Sequence, residues 1–526
     1  MIHRRGFLAG AATGLALPAI ARAQASSTVR FVPEADLVLL DPVVTPAAQT
    51  REHAYLIYDT LYGIDDSYQA HPQMVEGSTT ESDGRLWRLT LRDGLKFHDG
   101  TPVLARDCAA SIRRWGARDA FGQALMAATD EIGADGDKVI TIRLKQPFPL
   151  LPDALAKPMA FLCPIMPERL ARTDPYKPVT EPIGSGPYRF KADERVPGAR
   201  VVYERFTGYV PRKNGVPETT AGPKRPVIDR IEWVINPDNP TAVAALQRGE
   251  VDWVQTPAPD LLPMLRADKN VTTRIIAPTG LIAYMRFNQL LPPFDNPALR
   301  RAIIGAVSQA DYMVAINGED KTLWRDGVGF FCPGVPLASD AGMEALTSRR
   351  DYDKVKRAIE AAGYKGERIA MMVAVDVLYL KLMGDVTADV FKKIGLNVDY
   401  QPIDWTTLVQ RRIKMDPIDQ GGWNLFVIND NGINQINPAG HLLLRGNGRA
   451  GGPGWPTSPG LESLRDAWFN ATTLDAQKDA ARKMQLQAFQ DVPYIPLGQS
   501  LAPTAYRSDL TGVLNGQPTF WNVRRA

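Results

Sequence analysis

Ile231-Glu-Trp-Val-Ile-Asn-Pro-Asp-Asn-Pro-Thr-Ala-Val-Ala-Ala-Leu-Gln-Arg-Gly-Glu-Val-Asp-Trp-Val254 is the stretch that decides the fold class. Its first five residues are mostly β-branched, aromatic or apolar, the habit of a strand. Residues 241–247 then carry apolar side chains at helical spacing, and Gly249 stops the helix because it tolerates left-handed backbone. A second strand follows at 251–254. Strand, helix and strand in so short a span predict a crossover between parallel strands, the unit of an α/β fold.

The same pattern recurs further along the chain. Asp353 is placed to cap a helix in which Val355, Ala358, Ile359 and Ala362 share a face, ended by Gly363. A strand at 369–375, a helix at 377–394 stopped by Gly395, a strand at 396–403 and a helix capped by Asp404 follow. Nearer the start, 28–32 reads as a strand and 49–61 as a helix with Ala54, Ile57, Tyr58 and Leu61 on one face. At 86–92 the period becomes two, with Trp87, Leu89 and Leu91 on one side, as a half-buried strand requires. Asp93-Gly94 and Asp99-Gly100 bracket a short strand at 95–98, a helix follows at 105–115, and 139–144 is another strand. Residues 181–188 form a rigid Pro/Gly connector, and 207–226, rich in Pro, Gly and Lys/Arg, read as an exposed excursion. Two α/β lobes with a smaller inserted region and Gly/Pro-rich crossings predict a hinged cleft.

The 526 residues are 44% hydrophobic and 23% charged, enough apolar content for several cores. The formal charge is +3. Arg4, Arg5 and Arg22 account for all of it, so the chain beyond residue 23 is neutral. Without a basic block there is no electrostatic ground for expecting nucleic acid or an anionic membrane as partner. Residues 1–23 have a basic start, a modest apolar stretch and Ala21-Arg22-Ala23 as a small-x-small cut site, the pattern of a secretory signal. Arg4-Arg5-Gly6-Phe7-Leu8 gives it a twin-arginine character. No cysteine stands at the cut site, which leaves no lipid anchor there. The expectation is a soluble protein exported to the Gram-negative periplasm. Cys108, Cys163 and Cys332 allow at most one disulfide, and no CxxC pair suggests a thiolate metal site.

Signals for catalysis are sparse. Gly446-Asn-Gly448-Arg-Ala-Gly451 matches a dinucleotide loop by letter, but Gly452-Pro453-Gly454 follows where a helix must begin, so it reads as a flexible loop. There is no P-loop, no G-x-S-x-G, no S-x-x-K and no H-E-x-x-H. His98 beside Asp99-Gly100 reads as a turn-stabilising residue, and His441 is a weak metal candidate. What remains is an amide-rich run behind an indole: Trp423-Asn424, then Asn429-Asp430-Asn431, Asn434-Gln435 and Asn437-Pro438. Amides donate and accept, which suits a polar uncharged or zwitterionic ligand, and indole offers a flat apolar wall. The same letters also describe an Asn-rich surface turn over a core tryptophan.

Gly84-Arg-Leu-Trp87-Arg-Leu-Thr-Leu-Arg92-Asp-Gly94-Leu-Lys-Phe97-His98-Asp99-Gly100-Thr-Pro102 resembles the hallmark segment of extracellular solute-binding protein family 5. These are the receptors of ABC importers for dipeptides, oligopeptides, nickel chelates, opines and some oligosaccharides. Further segments similar to the family follow in order: Pro182 to Tyr188, Ala245 to Asp252, Asn288 with Pro293-Phe294-Asp295, Leu299 to Ala302, Ala361 to Tyr364, and Gly395 to Trp405. The resemblance implies a three-lobed Venus-flytrap fold. Lobe I comprises 24–45, 183–279 and 496–526; lobe II is the insertion 46–182; lobe III is 280–495. It implies a non-enzymatic, monomeric receptor without cofactor that hands a small polar solute (peptide-like, opine-like or another amino-acid derivative) to a permease and its ATPase.

The resemblance also implies that 423–438 lines the cleft. The candidate ligand residues are Trp423, Asn424, Asp430, Asn434 and Asn437, with Trp405, Tyr284, Arg286, Asn288 and Arg445. Arg286 or Arg445 is the candidate for meeting a carboxylate. Two departures from the family stand out. Its ammonium-binding aspartate is matched here by Asn434, with Asp430 as the other candidate, and its Thr or Ser before the 105 helix is Leu104. The alternatives are a nickel or metal-chelate receptor using His441, and an exported hydrolase or sugar-active enzyme.

Overall fold

The computed structural model describes residues 27–159 and 161–526; the expected export signal at 1–23 lies outside them. The deciding stretch forms strand Arg230–Val234, helix Asn239–Arg248 and strand Trp253–Val254. Asp238 caps the helix, accepting from the Thr241 N–H at 2.9 Å, and Gly249 ends it at φ 73°. Both strands run parallel to Thr28–Val32, which sits between them. The crossover therefore skips one position, and the first strand fills the gap. Strands Val271–Arg274, Thr504–Arg507, Trp253–Val254, Thr28–Val32, Arg230–Val234, Arg200–Arg205 and Tyr188–Phe190 make one seven-stranded sheet in that order. Its core is aromatic: Phe31 meets Trp233 and Trp253 edge-to-face at 5.7 and 5.5 Å.

A six-stranded sheet follows the order Trp324–Arg325, Ile495–Ser500, Leu281–Phe287, Leu425–Asn431, Ile369–Ala374, Val398–Ile403. Ile369–Ala374 is buried along its whole length and runs parallel to both neighbours, as a central α/β strand should. A four-stranded antiparallel sheet comes from Val75–Glu81, Leu86–Leu91, Val139–Leu144 and Thr129–Asp135. The seven- and six-stranded sheets and the smaller four-stranded one agree with the α/β class and with a smaller inserted region. The chain passes between the seven- and six-stranded sheets twice, at 275–280 and at 501–503.

Local chemistry explains the agreements. Val139–Leu144 alternates half-buried or exposed with buried residues, Gly395 takes φ 80°, and Asp404 accepts from the Thr407 N–H at 2.9 Å. Leu104 has no capping side chain, and Asp107 replaces it by accepting from the Leu104 N–H at 2.8 Å.

Several expectations need correction. The helix expected at 49–61 is Ala48–Ile57, because Tyr58 turns extended and delivers Asp59 to a buried ion pair. No strand forms at 95–98, where a single bridge joins Lys96 to Pro102. The cap expected at Asp353 is Asp351, which accepts from the Lys354 N–H at 2.9 Å. The excursion at 207–226 is partly interior: Lys224 is fully buried and its Nζ lies 2.8 Å from Asp59. The Ala48–Ile57 helix, inside the stretch expected as lobe II, packs its Ala54, Tyr55, Leu56 and Ile57 into the core of the seven-stranded sheet. Strand Ile495–Ser500, mostly inside the stretch expected as lobe I, belongs to the six-stranded sheet. All three cysteines are buried and unpaired.

The 181–188 connector is held against that first helix. A Cβ on Gly184 would lie 1.9 Å from the Ile57 carbonyl oxygen, and the Gly186 N–H donates to the same oxygen at 2.9 Å. His98 fixes the connector from the other side, its N–H donating to the Gly184 carbonyl at 2.9 Å and its Nε2 lying 3.0 Å from the Gly186 carbonyl. Its role is structural, as its place in the turn predicts.

Candidate functional site

A cavity of about 870 Å³ lies between the seven- and six-stranded sheets, at the two crossings. That is the size of a site for one small solute. The crossings pack closely enough to demand glycine. Gly280 has φ +48°, and a Cβ there would lie 2.1 Å from the Ser500 carbonyl oxygen; one on Gly432 would lie 1.9 Å from that of Thr279. Gln499 ties the two together, its Nε2 donating to the Pro278 and Thr279 carbonyls at 3.2 and 2.7 Å.

The six-stranded sheet presents one face of its paired strands. Leu281 is opposite Asn431, and Ala283 opposite Asn429; Ser500 is opposite Leu281 on the other side. All five line the cavity. Helix Leu378–Lys393 adds an apolar wall of Leu378, Tyr379, Leu382 and Met383. Leu378 is 70% exposed and Tyr379 38%, while Met383 is buried, so the wall is open to the cavity at the start of the helix.

The opposite side is polar. Glu34, Arg51, Glu52, Gln255 and Gln517 come from the segment after the first strand, the first helix, the segment after Trp253–Val254, and the C-terminal segment. Gln255 bridges two of these, its Oε1 accepting from the Glu34 N–H at 2.8 Å and its Nε2 donating to Glu52 Oε1 at 2.6 Å. Arg51 Nε donates to Gln517 Oε1 at 2.8 Å. Glu52 is 2% exposed, and burial, helped by Glu34, pushes its carboxyl up to about 8.

None of the ten expected ligand residues lines this cavity. Trp423 is fully buried, its ring 4.8 Å from that of Phe426 and 5.7 Å from that of Trp455. It is a core tryptophan, as the alternative reading of that run held. Asn424 holds strand register, accepting from the Ala370 N–H and donating to the Pro292 carbonyl, each at 2.9 Å. Asn288 donates to the Trp423 carbonyl at 2.9 Å. Arg286 is buried and spends its nitrogens on the Pro453, Leu443 and Pro493 carbonyls at 2.6, 3.0 and 3.0 Å. Burial pulls its guanidinium down to about 10, so it stays charged at neutral pH. It clips three loops together rather than facing a ligand. Tyr284 packs edge-to-face on Tyr494 at 5.7 Å.

Asp430 accepts from Asn434 Nδ2 at 2.8 Å, Asn437 accepts from the Gly440 N–H at 3.2 Å, and Arg445 Nε pairs with Glu462 at 3.2 Å. Trp405 is 36% exposed at the start of its helix. His441 is fully buried, its Nε2 2.6 Å from the Phe330 carbonyl and 3.1 Å from the Tyr494 hydroxyl, and burial lowers it to about 3. Among the described residues no three His, Cys, Asp or Glu are grouped to hold a metal ion. The run at 446–451 holds only a single 3-10 turn, Gly448–Ala450, and the next α-helix is Pro459–Phe469.

The amide-rich run does reach the cleft, through Asn429, Asn431 and Ile433. These are the odd-numbered neighbours of the residues singled out from sequence. A strand sends alternate side chains to opposite faces, so Asp430 leaves the cavity as Asn429 and Asn431 enter it. Arg51, Glu52 and Gln255 were missed because nothing local distinguishes them from ordinary helix and loop polar residues.

The family model of bacterial extracellular solute-binding proteins, family 5 (middle region), matches residues 69–445. "Probable peptide ABC transporter periplasmic-binding protein y4tO" of Sinorhizobium fredii is 37% identical, covering 100% of this chain and 99% of that protein. Among solved structures, AgaA of A. tumefaciens in complex with agropinic acid superposes with a TM-score of 0.75 at 21% identity, over 95% of this chain and 99% of the other. A dipeptide-binding protein of Pseudoalteromonas in complex with Met-Leu gives 0.74 at 20% identity, over 95% and 100%. A full-length relative and a family match across most of the chain agree with two sheets closing on one cavity: the chain belongs to the extracellular solute-binding proteins of family 5.

Proposed function

We propose that the chain is the periplasmic receptor of an ABC importer for one small amino-acid-derived solute, peptide-like or opine-like. The observation that carries this reading is the cavity between the two sheets, with charged and amide groups on one side and the Leu378–Met383 wall on the other. A solute with a polar head and an apolar portion satisfies both sides at once. Bridging them stabilises the closed arrangement of the two bodies relative to the open one. On this reading the crossings at 275–280 and 501–503 are the hinge. The permease and its ATPase then receive the solute unchanged. Residues 1–23 are the cleaved export signal, of twin-arginine type, and periplasmic residence follows from it.

The lobe division follows sheet membership. Lobe I holds the seven-stranded sheet with the Ala48–Ile57 helix, lobe II the four-stranded sheet, and lobe III the six-stranded sheet through Ser500.

The test is mass spectrometry of solute released on denaturing protein purified from its native periplasm. One bound amino-acid derivative, which on return raises the melting temperature of stripped protein, is the expected result. A released compound that does not stabilise the protein would contradict the reading.

A further inference from the structure

Among the described residues six carboxylates are buried: Asp41, Glu52, Asp59, Asp107, Asp119 and Asp252. Four of them pair with a cation: Asp41 with Arg114, Asp59 with Lys224, Asp119 with Lys157 and Asp252 with Arg525. Asp107 accepts from two backbone N–H groups, those of Leu104 and Glu168. Glu52 has no ion pair among the described residues. Its Oε1 accepts from Gln255, and its Oε2 accepts nothing. It is also the one member of the six that lines the cavity. A buried carboxylate oxygen without a partner is costly, and folded proteins rarely leave one unless something else supplies the partner.

The charges around it have a sign. The cavity is lined by Glu34, Glu52 and Asp66 against a single cation, Arg51. Asp66 already accepts from Thr219 Oγ1 at 2.7 Å, and Arg51 spends its Nε on Gln517. The lining is acidic, although the chain beyond residue 23 is neutral. Glu34 and Asp66 are exposed and Glu52 is buried, so the net negative lining draws a cation towards a carboxyl that itself sits out of water.

We propose that Glu52 is the acceptor of a subsite on the first helix that takes a positively charged nitrogen of the bound solute. This rests on the receptor reading above and adds the charge class of its solute. Gln517 and Arg51 complete the subsite on the donor side. Gln517 Nε2 is buried without a partner, and the Arg51 Nη nitrogens have none among the described residues, so together they suit an oxygen acceptor on the same solute. Burial raises the carboxyl of Glu52 most; among neighbouring groups Arg51 on its own helix and the Gln255 amide lower it and Glu34 raises it, while Tyr203, from strand Arg200–Arg205, feels the charge of Glu52 in turn. An approaching cation favours the ionised form, so the carboxyl releases its proton as the solute seats.

The probes are an equimolar pool of dipeptides with free amino termini and the same pool N-acetylated, each added to stripped protein during thermal unfolding. For the wild type, the free-amine pool should raise the melting temperature, and the acetylated pool should need at least a tenfold higher concentration for the same shift. Glu52→Gln keeps the shape and the Gln255 contact, and it should lose that discrimination. If the acetylated pool is as effective on the wild type, or if Glu52→Gln responds as the wild type does, the subsite is overturned. A wild type that closes in solution scattering only on neutral or anionic solutes overturns the subsite and leaves the receptor reading standing. One that closes on nothing removes both.

Discussion

Replacing Glu52 by Gln should make the empty protein more stable, and increasingly so as the pH rises. Glu52 is 2% exposed, and its carboxyl moves from an ordinary 4.5 to about 8 on folding. The folded chain therefore holds this proton more tightly than the unfolded chain. The group's contribution to stability is present in full below the unfolded value and is lost progressively as the pH rises towards the folded one. At about 1.4 kcal/mol per pKa unit, the loss is about 1 kcal/mol at pH 5 and about 3 kcal/mol at pH 7. The Gln amide carries its own unpaired N–H, at a cost of about 1 kcal/mol at every pH. The two forms should thus be nearly equal at pH 5, with Gln ahead by about 2 kcal/mol at pH 7. At about 1 °C per kcal/mol for a chain of this length, the melting temperatures should separate by roughly 2 °C at pH 7. The assay is thermal unfolding of both stripped forms from pH 5 to 8. A gap that stays constant with pH, or that closes towards pH 8, would refute a strained carboxylate kept for the ligand.

Other outcomes follow from the same structure. Trp423→Ala empties a fully buried site beside Phe426 and Trp455. It should cost about 3–5 kcal/mol in chemical unfolding, with ligand response lost only as far as folding is lost. Leu378→Ser removes a 70% exposed wall residue, so apo stability should stay within about 0.5 kcal/mol while ligand-induced stabilisation falls. Lys224→Met strands Asp59, whose carboxyl is raised by burial but held below its usual range overall by Lys224 and Arg92. A loss of about 3 kcal/mol should appear in urea unfolding at neutral pH. That loss should shrink on acidification as Asp59 protonates, because a lowered carboxyl stabilises only above its folded value. Finally, thiol titration should find no reactive cysteine in the native protein and three after unfolding without reductant, since Cys108, Cys163 and Cys332 are buried and unpaired.

Sequence carried the fold further than the site, for a physical reason. The helix caps at Asp238 and Asp404, the stops at Gly249 and Gly395, and the period-two strand at 139–144 are set by contacts within a few residues. The position of Thr28–Val32 between two strands about 200 residues later is not, and the sheet order had to come from the structure. The 207–226 segment has the composition of a solvated loop, yet Lys224 is interior because Asp59 neutralises it across the fold. In the amide-rich run the right segment was legible but not its parity. Without the register to Leu281 and Ala283, nothing tells which alternate set of side chains faces the cleft. The polar wall is assembled from four separate parts of the chain, and no single stretch of sequence displays it.

The most direct test of the central claim is small-angle X-ray scattering on stripped protein before and after adding back its own co-purified solute, with that solute re-examined afterwards by mass spectrometry. A smaller radius of gyration on binding and a chemically unchanged solute are the predicted result. An unaltered scattering curve at saturating solute, or a solute recovered as a different compound, would contradict it.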